Sequence, residues 1–276
     1  MCRAIFPAPL RAILLEVEIA ANKPVALVTG ASSGIGEVFA RKLAARGYDV
    51  ILVARREDRL RKLAAEFGAG TQIIVADIGA AEDLARVEQA IVNCPRLELL
   101  VNNAGFGSKG RFWETDLGWQ EQMHRVHINA TLRLTHAALR GMTTRNKGAV
   151  ISVSSVAAFG TSPGSVSYCA TKGWINLFTE GLDMELRSIG SKVQVQTLCP
   201  GFTFSEFHDV VQVARSSIWS WLWLATGDVV EYSLRALERR EWLAIPNWKY
   251  KAGVVVMRHL PWFLRRRIGR PGPKRT

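Results

Sequence analysis

The chain has 276 residues, 48 % of them hydrophobic, enough for a sizeable core within one domain. Its net charge of +12 is uneven, because residues 251–276 carry eight Lys/Arg and no Asp/Glu. The four cysteines, Cys2, Cys94, Cys169 and Cys199, show neither C-x-x-C spacing nor a companion histidine cluster, which argues against a disulfide framework or a metal site and for a reducing, cytoplasmic setting.

Residues 1–23 contain an apolar stretch at 12–21 that Glu16 and Glu18 interrupt, so they are expected to be a nonessential extension, with a weak anchor as the alternative. From residue 24 onward, apolar runs at 25–28, 50–53, 73–75, 97–101, 150–153 and 193–198 read as strands alternating with helical patterns. That alternation predicts an α/β fold, a parallel sheet covered by helices on both faces. Glycine and proline fall between these elements rather than forming a linker, so one domain is expected over 24–250, followed by a basic apolar tail at 251–276.

The first strand runs into Thr29-Gly30-Ala31-Ser32-Ser33-Gly34-Ile35-Gly36, and a helical pattern follows. Strand, glycine turn and helix start together suit a pyrophosphate, since glycines allow close backbone approach and the helix N-terminus favours negative charge. The spacing, G-x-x-x-G-x-G, is a variant of the dinucleotide fingerprint, and a purely structural turn is the competing reading. Arg55 and Arg56 end the second strand, about where an NAD-binding protein places an acid to hold the adenosine ribose. A guanidinium there accepts a 2′-phosphate, so NADP(H) is preferred over NAD(H); a solvated loop pair is the bland alternative.

His124, His127 and His136 sit on a helical pattern without a carboxylate partner and read as solvated or packed side chains, with no metal site. The uncharged stretch 148–171 is long enough to suggest a membrane span, but its six serines and one proline argue against that. It leads instead to Ser155 and, thirteen residues on, to Tyr168 and Lys172. On a helix, i,i+4 spacing puts phenol and ammonium on one face, where the cation is expected to draw the phenol pKa down toward operating pH while Ser155 holds the same substrate oxygen.

Four motifs now stand in order: T-G-A-S-S-G-I-G at 29–36, N-N-A-G at 102–105, Ser155 with Y-C-A-T-K at 168–172, and Pro200-Gly201. Over residues 24–245 the chain resembles the short-chain dehydrogenase/reductase family. The resemblance implies a single Rossmann-type doubly wound domain with a mainly parallel seven-stranded sheet, often assembled as a homo-oligomer, and reversible reduction of a carbonyl to an alcohol. It also implies site roles. The cofactor would be held by Gly30, Ser32, Ser33, Gly34, Ile35 and Gly36, by Asp77 at the adenine, and by Asn103, Ala104 and Gly105 at the end of the fourth strand. Lys172 would hold the nicotinamide ribose, Asn129 would support a water leading to Lys172, and Pro200, Gly201 and Thr203 would flank the nicotinamide. Ser205 stands where many relatives have threonine.

Residues 202–226 are rich in aromatics, including Phe204, Phe207, Trp219, Trp221 and Trp223, which suits a lid over an apolar carbonyl or alcohol substrate, or alternatively helix packing or an oligomer contact. The basic tail resembles a membrane-surface segment, with a packing helix as the alternative, and no recognition motif supports nucleic-acid binding. A noncatalytic NADPH-binding sensor on the same fold is the competing functional class; it would not require Ser155, Tyr168 and Lys172 together.

Overall fold

The computed structural model describes residues 23–108, 110–161, 163–204, 220–261 and 263–264. β1 (Val25–Thr29) is buried along its whole length. Ala26 and Val28 enter a core on one side of the sheet, Val25 and Leu27 a second core on the other. Because both faces are apolar, the period-2 alternation of a strand is hidden inside a continuous hydrophobic run.

β1 leads to α1 (Gly34–Ala45), and the chain continues through β2 (Asp49–Ala54), α2 (Glu57–Phe67), β3 (Gln72–Val75), α3 (Ala81–Val92) and β4 (Leu97–Asn102). The second half holds α4 (Leu117–His124), a π-helical segment (Arg125–Ala130), α5 (Thr131–Arg145) and β5 (Ala149–Val153). A 3-10 turn (Val156–Phe159), α6 (Val166–Ser188), β6 (Gln194–Leu198), α7 (Thr226–Glu238), β7 (Leu243–Ala244) and α8 (Trp248–His259) complete it.

All neighbouring strands pair in parallel, in the order β3-β2-β1-β4-β5-β6-β7. The six strands expected from apolar runs are present. β7 has no such signal, since two residues pairing with Thr197 and Leu198 are too short to carry a period. Phe39 and Leu43 of α1, Leu60 of α2 and Val230 and Leu234 of α7 fill one core, while Leu84 and Val87 of α3, Leu134 and Met142 of α5 and Leu186 of α6 fill the other. Each such side chain contributes about 1.5–3 kcal/mol through burial. The order reverses between β1 and β4, and at that switch point the carboxyl ends of an open parallel sheet leave a crevice for ligand.

α8 runs through the position where the basic tail was expected to begin. Val254 packs with Cys199 and Ile245, against Val156, Phe159 and Tyr250. No described helix is long and apolar enough to cross a membrane.

Candidate active site

The cleft at the switch point has a volume of about 690 Å³. Its walls come from the glycine turn after β1, the ends of β2 and β3, the 103–108 segment after β4, Ser154 to Ala157 after β5, the first two turns of α6, and Pro200 to Thr203 after β6.

The glycine turn is locked to β4. Asn103 Nδ2 donates to Thr29 O (2.9 Å) and Gly30 O (3.3 Å), while Thr29 Oγ1 accepts from the N–H groups of Asn103 (3.0 Å) and Ala104 (3.1 Å). Gly30 needs its left-handed backbone, φ 66°. At Gly36 the reason is close approach: an added Cβ would lie 2.3 Å from Gly30 O and 2.4 Å from Asn103 Nδ2. Ser33 caps α1 with no side-chain hydrogen bond, and Gly34 and Ile35 line the cleft, so first-turn N–H groups are available to an anion. Cleft, turn and donors together fit the elongated, doubly charged shape of a dinucleotide.

At the far end of the cleft, Arg55 is exposed beside Arg56. Arg56 Nε donates to Ser32 Oγ (3.1 Å) and its Nη2 to Ser32 O (3.4 Å). Arg59 Nη1 reaches the same Ser32 O at 3.4 Å. Arg59 was not singled out from the sequence. Its position three residues after Arg56, at the start of α2, was the available signal, since i and i+3 share a helix face. Asp77 lines the cleft and accepts from the Gly79 N–H (3.0 Å) and, at 3.4 Å, from Gln122 Nε2.

At the other end stand Ser155, Tyr168 and Lys172. Ser155 follows the last residues of β5, and its Oγ accepts from the Ala157 N–H (3.1 Å), which starts the 3-10 turn. Tyr168 and Lys172 occupy the first two turns of α6 on one face, with Lys172 Nζ 5.8 Å from the centre of the Tyr168 ring. Lys172 Nζ donates to Val153 O (2.8 Å), and Ser154 Oγ donates to Lys172 O (2.9 Å), so β5 and α6 fix each other.

The electrostatics differ from the expectation that Lys172 lowers the phenol pKa. Desolvation in the pocket pushes Tyr168 up to about 12, opposed by its hydrogen bond with Ser155. Burial likewise brings Lys172 down to about 8. In the protein itself desolvation outweighs the lowering by Ser155, with Lys172 not among the causes, and the phenol is held protonated, the state a proton donor needs.

His127, expected to be an ordinary solvated or packed side chain, is buried beside this trio. Thr171 Oγ1 donates to Tyr168 O (2.9 Å), so it accepts from His127 Nδ1 (2.9 Å), which leaves Nε2 as acceptor for the Phe106 N–H (3.1 Å). The ring is therefore the neutral Nδ1–H tautomer, tying α6 to the segment after β4. An added Cβ on Gly105 would sit 2.8 Å from His127 Nε2, which explains a glycine there. Burial first, then the Lys172 charge, hold the His127 pKa well below 6.5. The unfolded chain, with an ordinary histidine, takes up this proton first. Stability from the neutral ring is thus complete above about pH 6.5 and declines as pH falls toward the depressed folded value. Unfolding midpoints measured from pH 7.5 to 5 should fall in the native protein and fall less steeply in His127→Gln; equal slopes would contradict this account.

Asn129 lies in the π-helical segment and is exposed. The structure joins it to Lys172 by no hydrogen bond among the described residues. The π-turn itself, which loosens the backbone ladder, was not legible in the sequence.

On the substrate side, Gly201 packs under the Tyr250 ring of α8, where an added Cβ would be 2.0 Å from Cζ. Tyr250 Oη donates to Leu222 O (2.7 Å) and accepts from the Phe202 N–H (3.0 Å). Phe202 and Phe204 also exchange backbone bonds with Leu224, which holds Thr203 in place; its Oγ1 donates to Gly201 O (3.0 Å). Nothing in the local sequence marks Tyr250, because only the fold brings α8 to this loop. Ser205, Phe207 and Trp219 of the expected lid lie outside the described residues.

The fold and this site define a class. The chain matches the short chain dehydrogenase family over residues 24–214 and belongs to it, the short-chain dehydrogenase/reductases. It is similar to a very-long-chain 3-oxoacyl-CoA reductase of Anas platyrhynchos, 31 % identical over 193 residues, covering 67 % of this chain and 61 % of that one. Among solved structures it is similar to a short-chain dehydrogenase from Sphingobium yanoikuyae in complex with NADPH, with TM-score 0.76, 30 % identity, and coverage of 87 % and 97 %. It is also similar to a bulky-bulky ketone specific alcohol dehydrogenase from Comamonas testosteroni, with TM-score 0.72, 28 % identity, and coverage of 87 % and 96 %. The protein is an NAD(P)-dependent oxidoreductase acting on CH–OH and C=O groups.

Proposed function

We propose that the protein reduces an apolar or lipid-like ketone or aldehyde with NADPH, reversibly, in a reducing cytoplasmic setting. The observation that carries this reading is the Ser155–Tyr168–Lys172 cluster at one end of a cleft whose other end is lined by Arg55 and Arg56. Bound NADPH supplies the hydride. Ser155 Oγ holds the carbonyl oxygen, and Tyr168 delivers a proton to it. Lys172 keeps α6 registered against β5 through Val153 O and presents its ammonium to the nicotinamide ribose; the Asn129 backbone supports a water that resupplies the proton.

Gly30, Ser32, Ser33, Gly34, Ile35 and Gly36 would hold the pyrophosphate end, Asp77 the adenine, and Asn103, Ala104 and Gly105 the middle of the cofactor. Pro200, Gly201, Thr203 and Ser205 would flank the nicotinamide. Arg55 on the cleft wall, with Arg56 and Arg59 at Ser32, favours a 2′-phosphate, which a planar guanidinium can bind through two bonds. Phe106, Trp119, Val156 and Phe202 line the substrate side and favour an apolar substrate. The cysteines, without a C-x-x-C pair, favour a reducing compartment. Exposed Leu177 and Met184, on the same stripe of α6 as Trp174, support pairing of two copies. Residues 1–23 are proposed to be dispensable for turnover, with the catalytic unit at 24–250.

The test is carbonyl-dependent oxidation of NADPH by pure protein over a panel graded by chain length and ring content. The specificity constant should rise with apolar size, and absence of turnover throughout would favour the sensor reading. In the same assay Arg55→Asp/Arg56→Asp should shift the NADPH/NADH ratio of specificity constants toward NADH by at least about tenfold, since repulsion replaces attraction at the 2′-phosphate. An unaltered ratio would reject the placement of both arginines.

A further inference from the structure

We propose that the protein docks on anionic lipid bilayers through the rim of its substrate cleft, including the outer face of α8. Every exposed Phe and Trp among the described residues falls in 112–119, in 202–204 with 221, or in 248–263. The other exposed large apolar side chains are aliphatic. These segments adjoin one another around the cleft: the Gly110 N–H donates to Gly164 O (3.2 Å), Met257 of α8 packs on Gly160, and Tyr250 of α8 joins Phe202 to Leu222. Phe202 and Trp119 line the cleft itself. The exposed aromatics therefore surround the substrate entrance.

α8 has two stripes. Tyr250, Val254 and Met257, at i, i+4 and i+7, face the protein, whereas Trp248, Ala252 and Val255, at the same spacing, face outward with Val256 beside them. Trp248 is 72 % exposed, Val255 56 % and Val256 59 %. Cations accompany this apolar surface. Lys249 Nζ lies 4.4 Å from the centre of the Trp221 ring, whereas Arg111, 5.9 Å from that of Trp113, is paired with Glu114 (3.1 Å), so the excess positive charge is on the α8 side of the rim. Residues 242–276 hold nine Lys/Arg and no Asp/Glu, and among the described residues Lys249, Lys251 and Arg258 lie on α8 itself. Tryptophan, aliphatic side chains and long cationic stems on one face match the boundary between lipid headgroups and acyl chains, with the positive charge complementary to anionic lipid. Nucleic acid would satisfy the charge but give no reason for the outward valines. Docking by this rim lets a lipid-soluble carbonyl compound enter the cleft without crossing water; that consequence rests on the proposed apolar substrate, whereas the docking does not.

The test uses the full chain and vesicles of phosphatidylcholine with or without phosphatidylglycerol. Cosedimentation should be strengthened by phosphatidylglycerol and weakened by salt, leaving a salt-resistant remainder from the apolar contact. Trp248→Ser/Val255→Ser/Val256→Ser keeps every charge and the inner stripe, so vesicle partitioning should fall at least about tenfold while NADPH binding is unchanged. In the unsubstituted protein, brominated lipid should quench tryptophan fluorescence, a readout that holds even if the triple variant fails to fold. No binding to phosphatidylglycerol vesicles, no quenching, or a folded triple variant that binds as well as the native chain would overturn the proposal, including the case where that variant changes only the oligomeric state. Failure of the reductase reading would appear separately, as absent turnover with vesicle binding intact.

Discussion

Tyr168→Phe should lower carbonyl reduction by roughly 10²- to 10⁴-fold, the usual contribution of a positioned general acid, while leaving NADPH affinity near its native value. The substitution removes the hydroxyl and keeps a ring that meets His127 edge-on at 6.0 Å and carries the Lys172 ammonium 5.8 Å from its centre. The glycine turn and Arg56 are at other parts of the cleft, so binding and turnover should separate. The direction of the pH dependence follows from the phenol, held at about 12 by desolvation. Reduction needs the protonated phenol and should be insensitive to its titration through neutral pH, whereas alcohol oxidation needs the phenolate and should rise with pH. Steady-state rates in both directions with cofactor titrations check this; near-native reduction by the variant would remove Tyr168 from the chemistry.

Gly36→Ala should cost cofactor affinity about a hundredfold, at a strain of about 3 kcal/mol. The new methyl would meet Gly30 O at 2.3 Å and Asn103 Nδ2 at 2.4 Å. Asn103 could swing away only by giving up its bonds to Thr29 O and Gly30 O, and Gly30 O belongs to the backbone of the turn that must receive the pyrophosphate. The overlap therefore moves either the start of α1 or the glycine turn, and both alter the anion site. Fluorescence titration with NADPH is the measurement, alongside thermal unfolding without cofactor to separate lost binding from lost fold. Native affinity in Gly36→Ala would show that the turn does not need this close approach.

The oxidoreductase class was legible because its parts are local. Thr29 to Gly36 form one turn, and Tyr168 and Lys172 share one helix face through four-residue spacing, so their relation survives in a one-dimensional reading. Six strands announced themselves as apolar runs because the sheet is buried on both faces. β7 did not, since its two residues gain strand character only by pairing with β6.

By itself, the sequence determined the fold class, the order of the glycine turn and the Ser155–Tyr168–Lys172 cluster, and the basic C-terminus, all properties of local spacing and composition. Only the tertiary structure decided the rest, since it depends on contacts between residues far apart in the chain. His127 became a neutral strut between Phe106 and Thr171, Arg59 joined Arg56 at Ser32, and Tyr250 reached back 48 residues to Phe202. The pKa of Tyr168 was decided there as well: spacing revealed the nearby cation, but the dominant cause is desolvation, which exists only once the surrounding elements have packed.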